Sequence, residues 1–259
     1  MNSRSAAGQL STISFIMFRT TLFPRTMLVA VSSTRGRMLC TTAKGSKLRH
    51  QIQQHTEVSR DHLTPEIALH LITPSCELWK CKDQAQVPFS DPYWAFYWPG
   101  GQAVARYLLD NPKTVCGFHV LDVGSGSGAC AIAAAKAGAQ SVTANDIDPV
   151  AGEAILLNCS LNQVNVNVSL NDMIGKTCFE WDIILLGDVL YDTEFAQRLQ
   201  PWIKSLQNAG KTIFVGDPGR HAMNVIPEGN LQLLATYSLP PQTNLENRGF
   251  STAFVWKIL

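Results

Sequence analysis

With 259 residues, 46% of them hydrophobic, the chain is long enough to bury a full core, and one domain with extensions is the expected organisation. The formal net charge of +1 conceals an asymmetry: residues 1–56 hold eight Lys or Arg and no acid, so the remainder carries −7. That acidic body argues against a nucleic-acid partner, and seven cysteines without a C-x-x-C pair or a His/Cys cluster argue against a bound metal and a disulfide framework.

The acid-free, Arg- and Ser-rich N-terminus has the composition of a mitochondrial transit peptide, expected over residues 1–45 with processing between 37 and 46. Leu10 to Phe18 is broken by polar residues and followed by Arg19 and Arg25, so neither a signal h-region nor a membrane span fits. The expected location is the mitochondrial matrix, with a cytoplasmic pool as the alternative.

Residues 46–112 read as a helical extension ending in an aromatic loop. Leu48 to Thr56 suits a short helix. Thr64-Pro65-Glu66 supplies a cap, a first-turn proline and an early acid, predicting a second helix that stops near Ile72 before Pro74. Cys76 to Trp79 reads as a short strand and Lys80 to Ser90 as a polar loop. Asp91-Pro-Tyr-Trp-Ala-Phe-Tyr-Trp-Pro-Gly-Gly101 then places five aromatic residues within six positions. A core plug is the bland explanation of such a cluster; contact of Trp98, or less readily Tyr93, with a sulfonium ligand is the functional one. A helix follows from Gly101 to Leu109.

From residue 113 to 259 strands and helices alternate. Strands are expected near 118–123, 141–146, 165–170, 181–186 and 211–215, and helices near 128–138, 149–162 and 192–208, the second capped by Asp148 with Pro149 in its first turn. Near-continuous apolar strands such as Ile183 to Leu186 imply a parallel sheet covered on both faces. Leu231–Leu239 and Phe250–Ile258 read as a closing antiparallel pair. The expected fold is therefore α/β, a Rossmann-like seven-stranded sheet with an antiparallel last strand.

The run Val120-Leu-Asp-Val-Gly-Ser-Gly-Ser-Gly128 is a buried strand turning through a glycine loop into a helix, with Asp146 where a ribose hydroxyl needs an acceptor. Gly124, Gly126 and Ala129 satisfy a dinucleotide pattern, whereas Gly124, Gly126 and Gly128 satisfy that of S-adenosylmethionine (SAM) enzymes. Asp122 favours the second, because a carboxylate two residues before the first glycine repels a pyrophosphate but suits an ammonium and a sulfonium. A tight turn with no ligand is the bland alternative. Leu186-Gly-Asp-Val-Leu-Tyr-Asp192 ends the fourth strand and brings Asp188 and Tyr191 to the edge where open α/β sheets bind ligands. Asp188 is also placed to cap the helix near Thr193. Gly216-Asp-Pro-Gly-Arg220 ends the fifth strand; there Asp217 or Arg220 orients a substrate, or the segment is turn chemistry alone.

Together, VLDVGSGSG, ANDIDP, DPYWAFYWPGGQA and LLGDVLYD resemble family 16 of the seven-β-strand protein lysine methyltransferases, over about residues 50–259. The resemblance implies that Asp122, Gly124, Gly126 and Gly128 hold the amino-acid end of SAM, that Asp146 takes the ribose, that Asn171, or Asp172 one position on, lies by the adenine, and that Trp98 closes the cofactor. It also implies that Asp188 and Tyr191 line a lysine channel, and that the partner is a protein, the β-subunit of the electron transfer flavoprotein; a monomer is the expected state. Methylation of RNA or a metabolite, and SAM binding without catalysis, are the competing functions.

Overall fold

The computed structural model describes residues 43–81, 87–243 and 245–259. The transit-peptide expectation on residues 1–42 and the middle of the expected 80–90 loop lie outside them.

Seven strands form one sheet: β3 (His119–Val123), β4 (Ser141–Asn145), β5 (Asn167–Ser169), β6 (Ile183–Gly187), β7 (Thr212–Asp217), β8 (Leu231–Ser238) and β9 (Thr252–Ile258). Their spatial order is β5-β4-β3-β6-β7-β9-β8. The first five in that order run parallel, and β9 inserts antiparallel between β7 and β8. The strand order thus reverses between β3 and β6, where such sheets open a crevice at their carboxyl ends.

Alternation in the central strands decides which helices cover which face. Val120, Ile183, Leu185 and Phe214 share one core with α3 (Pro99–Asp110) and α4 (Ala129–Lys136), together with Ile155 and Cys159 of α5 (Pro149–Leu161). Leu121, Ile184, Leu186 and Val215 share the opposite core with Leu199, Trp202 and Leu206 of α6 (Thr193–Asn208). Leu121, Ile184, Leu185 and Leu186 are fully enclosed, each stabilising the fold by about 1.5–3 kcal/mol. Asp148 caps α5 by accepting from the Val150 amide, with Pro149 at the first position, as its sequence predicts.

Before the sheet lie α1 (Ala43–His55), a separate antiparallel pair of β1 (Glu57–Ser59) and β2 (Leu69–Leu71), and a single-turn α2 (Glu77–Lys80). This region corrects two expectations. Thr64 starts a turn, with the Ile67 amide donating to its carbonyl, and the chain then extends into β2 instead of a helix. Cys76–Trp79 enters α2 instead of a strand. The cause is tertiary: Asn158 of α5, and Asn162 just after it, reach the backbone of β2 and of Ala68 before it as a third strand would. Asn158 Oδ1 accepts from the His70 amide at 2.8 Å, while Asn162 accepts from the Ala68 amide at 2.9 Å and donates to the Ala68 carbonyl at 2.7 Å.

Candidate active site

The carboxyl ends of the strands gather the site. After β3, Gly124, Gly126 and Gly128 all have positive φ (67°, 55° and 84°), which only glycine adopts without strain. Asp122, fully buried in β3, accepts from the Ser125 hydroxyl and from the Ala131 amide at 3.1 Å, tying the loop to the start of α4. Burial pushes its carboxyl up to about 7, against the pull of those two donors. Asp146, just beyond β4, accepts from the Gly126 amide at 2.9 Å and the Asp148 amide at 3.0 Å; burial raises its pKa as well. The Asn145 side chain donates to the Ser169 and Asn171 carbonyls, which holds the exposed Asn171 at the end of β5. An open loop of positive-φ glycines flanked by Asp146 and Asn171 at the order reversal fits a nucleoside carrying an amino-acid tail.

The aromatic segment divides its rings between structure and surface. Trp94 is buried against Phe89 at 5.3 Å between ring centroids, and a Cβ on Gly126 would lie 3.7 Å from Trp94 Cα. Trp98 is half-buried at the start of α3, with its indole donating to the Tyr93 carbonyl at 3.0 Å. Tyr93 is exposed. The sequence singled out Trp98; the approach of Trp94 to the glycine loop leaves no separate signal in it.

The fourth-strand motif sits on the same edge. Asp188 follows β6 with a left-handed backbone (φ 62°) and is only 6% exposed. One carboxylate oxygen accepts from the Gly100 amide and the other from Arg220 Nε, each at 2.6 Å, while its own amide donates to the Gly216 carbonyl. Burial raises its pKa, and the Arg220 guanidinium opposes the rise. The expectation that Asp188 caps α6 is corrected: Asp192 does so, accepting from the Phe195 amide at 2.9 Å. Tyr191 is 62% exposed and stacks on Phe195 at 5.4 Å, within electrostatic reach of Tyr93 and Asp146. The structure therefore brings Asp122, Asp146 and the glycine loop together, and joins Asp188 to α3 and to the 217–220 turn.

Three glycines that the sequence reading left unassigned let these elements meet. A Cβ on Gly100 would lie 2.1 Å from the Gly216 carbonyl oxygen, and one on Gly216 would lie 2.0 Å from that of Gly100. A Cβ on Gly187 would lie 3.0 Å from Gly101 Cα. The Gly-Asp pair ending both LLGD and FVGD was the available clue. Among the described residues no three His, Cys, Asp or Glu lie close enough to hold a metal ion, and no helix is long and apolar enough to cross a membrane.

Sheet order, antiparallel closure and the glycine loop define a class I SAM-dependent methyltransferase. Residues 107–215 match the family model for ribosomal protein L11 methyltransferase (PrmA). The electron transfer flavoprotein beta subunit lysine methyltransferase of Xenopus laevis is 49% identical over 80% of this chain and 85% of that protein, and that of Homo sapiens is 46% identical over 79% of each. The Caenorhabditis elegans homolog is 39% identical, covering 79% and 93%. The chain belongs to this family of electron transfer flavoprotein beta subunit lysine methyltransferases, and it is a SAM-dependent enzyme.

Proposed function

We propose that this chain methylates lysines of the β-subunit of the electron transfer flavoprotein in the mitochondrial matrix, to trimethyl-lysine, and so modulates electron flow from acyl-CoA dehydrogenases. The observation that carries the reading is the extent of identity with relatives named for that activity. The acid-free leader supports the location.

SAM, when bound, supplies a methyl group made electrophilic by its sulfonium. We assign its amino-acid end to Asp122, Gly124, Gly126 and Gly128, its ribose to Asp146, its adenine to the neighbourhood of Asn171 and its cover to Trp98. Asp122 acts in this reading by fixing the loop through Ser125 and Ala131 as well as by its charge. The substrate amine must arrive neutral at the transferable methyl, which costs about 3–4 kcal/mol near pH 8 for an ordinary lysine. A neighbouring sulfonium and a dry channel both lower that cost by disfavouring the ammonium. Asp188 captures and orients the lysine, Tyr191 lines its path, and water removes the proton. Alignment of the amine supplies most of the rate.

The test is mass spectrometry of the flavoprotein β-subunit after incubation with the enzyme and SAM. A mass increase in steps of one methyl on lysine, reduced at least about tenfold by Asp188→Asn, is expected, equivalent to 1.4 kcal/mol in the barrier. An unmodified β-subunit overturns the substrate, and full activity of the variant overturns the role of Asp188. N-terminal sequencing of the endogenous protein tests the leader: a start between residues 37 and 46 is expected, and a start at residue 1 or 2 rules processing out.

A further inference from the structure

β6 and β7 run parallel with Gly187 opposite Gly216, so the next residues, Asp188 and Asp217, are neighbours at the same edge. Both carboxylates are buried, Asp217 at 0% exposure. Asp188 has both oxygens engaged. Asp217 does not: Oδ1 accepts from the Gly219 and Arg220 amides at 2.6 Å each, while Oδ2 is buried with no hydrogen-bond partner among the described residues. One guanidinium, Arg220, serves the pair. It binds Asp188 through Nε and lies 5.1 Å from the centroid of the Phe250 ring.

An orphaned buried carboxylate oxygen is costly, and beside a substrate residue it is a place where an incoming donor gains most. Among the described residues, Arg220 is the charged side chain that acts on both carboxylates; Arg248, on the exposed chain before Phe250, feels Arg220. Turn chemistry accounts for Oδ1 but leaves Oδ2 unexplained.

We propose that Asp217 is a substrate-binding residue: its free Oδ2, beside Asp188 and Arg220, makes a site with two carboxylates and one guanidinium that takes one further cation, the ammonium of the incoming lysine. The proposal rests on the assignment of Asp188 to the lysine site. It adds that Arg220 screens the pair until the ammonium arrives, and that the second carboxylate belongs to the turn after β7.

Asp217→Asn isolates the orphan atom, because its amide oxygen can keep the two turn bonds while the amide nitrogen replaces Oδ2. We expect KM for the protein substrate to rise at least tenfold, with SAM affinity and melting temperature retained. A KM within twofold of the wild type overturns the proposal, because a purely structural Asp217 predicts that result. A second measurement separates this inference from the identity of the substrate: n-butylammonium titrated by NMR into the protein loaded with S-adenosylhomocysteine. Wild type should bind it and Asp217→Asn should not. Arg220→Met, which removes the competing guanidinium and leaves both carboxylates, should bind at least as tightly as wild type. Absence of binding to wild type, or its loss in Arg220→Met, overturns the two-carboxylate site. Butylammonium binding that depends on Asp217 supports it even if the flavoprotein is not the substrate.

Discussion

Gly100 and Gly216 face each other backbone to backbone, with neither φ in the left-handed region, so what they lack is room. A methyl at either position meets a carbonyl oxygen that belongs to a helix or a strand and cannot swing away. Gly100→Ala and Gly216→Ala should therefore each cost about 3 kcal/mol or more, at the upper end of overpacking effects. Chemical denaturation measures this, and a loss below about 1 kcal/mol contradicts the close approach. Asp122 gives a pH signature. Its carboxyl titrates near 3.8 in the unfolded chain and about 7 in the fold, so between those values the native state binds more protons. Stability from this group accordingly falls as pH rises through that window. Melting temperatures between pH 5 and 8 should decline less steeply for Asp122→Asn than for wild type; identical slopes would remove the burial effect. Asp122, Asp146 and the three loop glycines were legible in the sequence because a local motif carries them. Gly100, Trp94 and the orphan oxygen of Asp217 were not, since each depends on a partner that only the folded sheet brings near.

The element most dependent on distant partners is β2. Asn158 joins it to the cofactor loop: one end of its amide accepts from the His70 amide, and the other donates to the Ser127 carbonyl at 2.8 Å. Asn158→Ala leaves both groups buried without partners, at about 1–3 kcal/mol each. We expect a lowered melting temperature together with SAM binding weakened several-fold by calorimetry; a stability loss with normal SAM affinity would show that β2 does not steady the loop. The strand–helix alternation from β3 to α6 was readable because β3, β6 and β7 are short apolar runs and because α5 and α6 open on an aspartate cap. Residues 64–80 misled because Thr-Pro-Glu is as good an opening for a turn as for a helix, and the amides that complete β2 lie about 90 residues away on α5. The cap of α6 was misplaced by four residues: Asp192, directly before Thr193 and extended, takes it, while Asp188 turns through a left-handed backbone to Gly100 and Arg220.

At the scale of the whole molecule, the extension and the sheet share one core. Ile67, Leu69 and Leu71 lie in the same apolar cluster as Leu108, Val120 and Ile132. Helix α3 packs on α4, β6, β7 and β9, and Arg49 of α1 pairs with Glu153 of α5 at 2.6 Å. A chain beginning at residue 113 loses α3 and the β1–β2 pair and uncovers that cluster. It should lack a cooperative thermal transition and near-ultraviolet circular dichroism. A sharp melt by this fragment would show that the sheet is self-sufficient.

The side-chain bonds from Asn158 and Asn162 to residues 68 and 70 also order events in time. Ribosomal synthesis delivers a chain from its N-terminus, so β2 emerges long before the helix that receives it. β1 can pair with it at once, but the Ala68 and His70 groups that bond Asn162 and Asn158 stay solvated until some 90 further residues have appeared and α5 has formed on the nascent sheet. Loop closure over that distance is slow relative to local helix formation. The segment translated early thus docks late, once the helix whose Asn158 also holds Ser127 of the glycine loop is in place. A refolding experiment should see the sheet acquire its secondary structure before it acquires affinity for SAM.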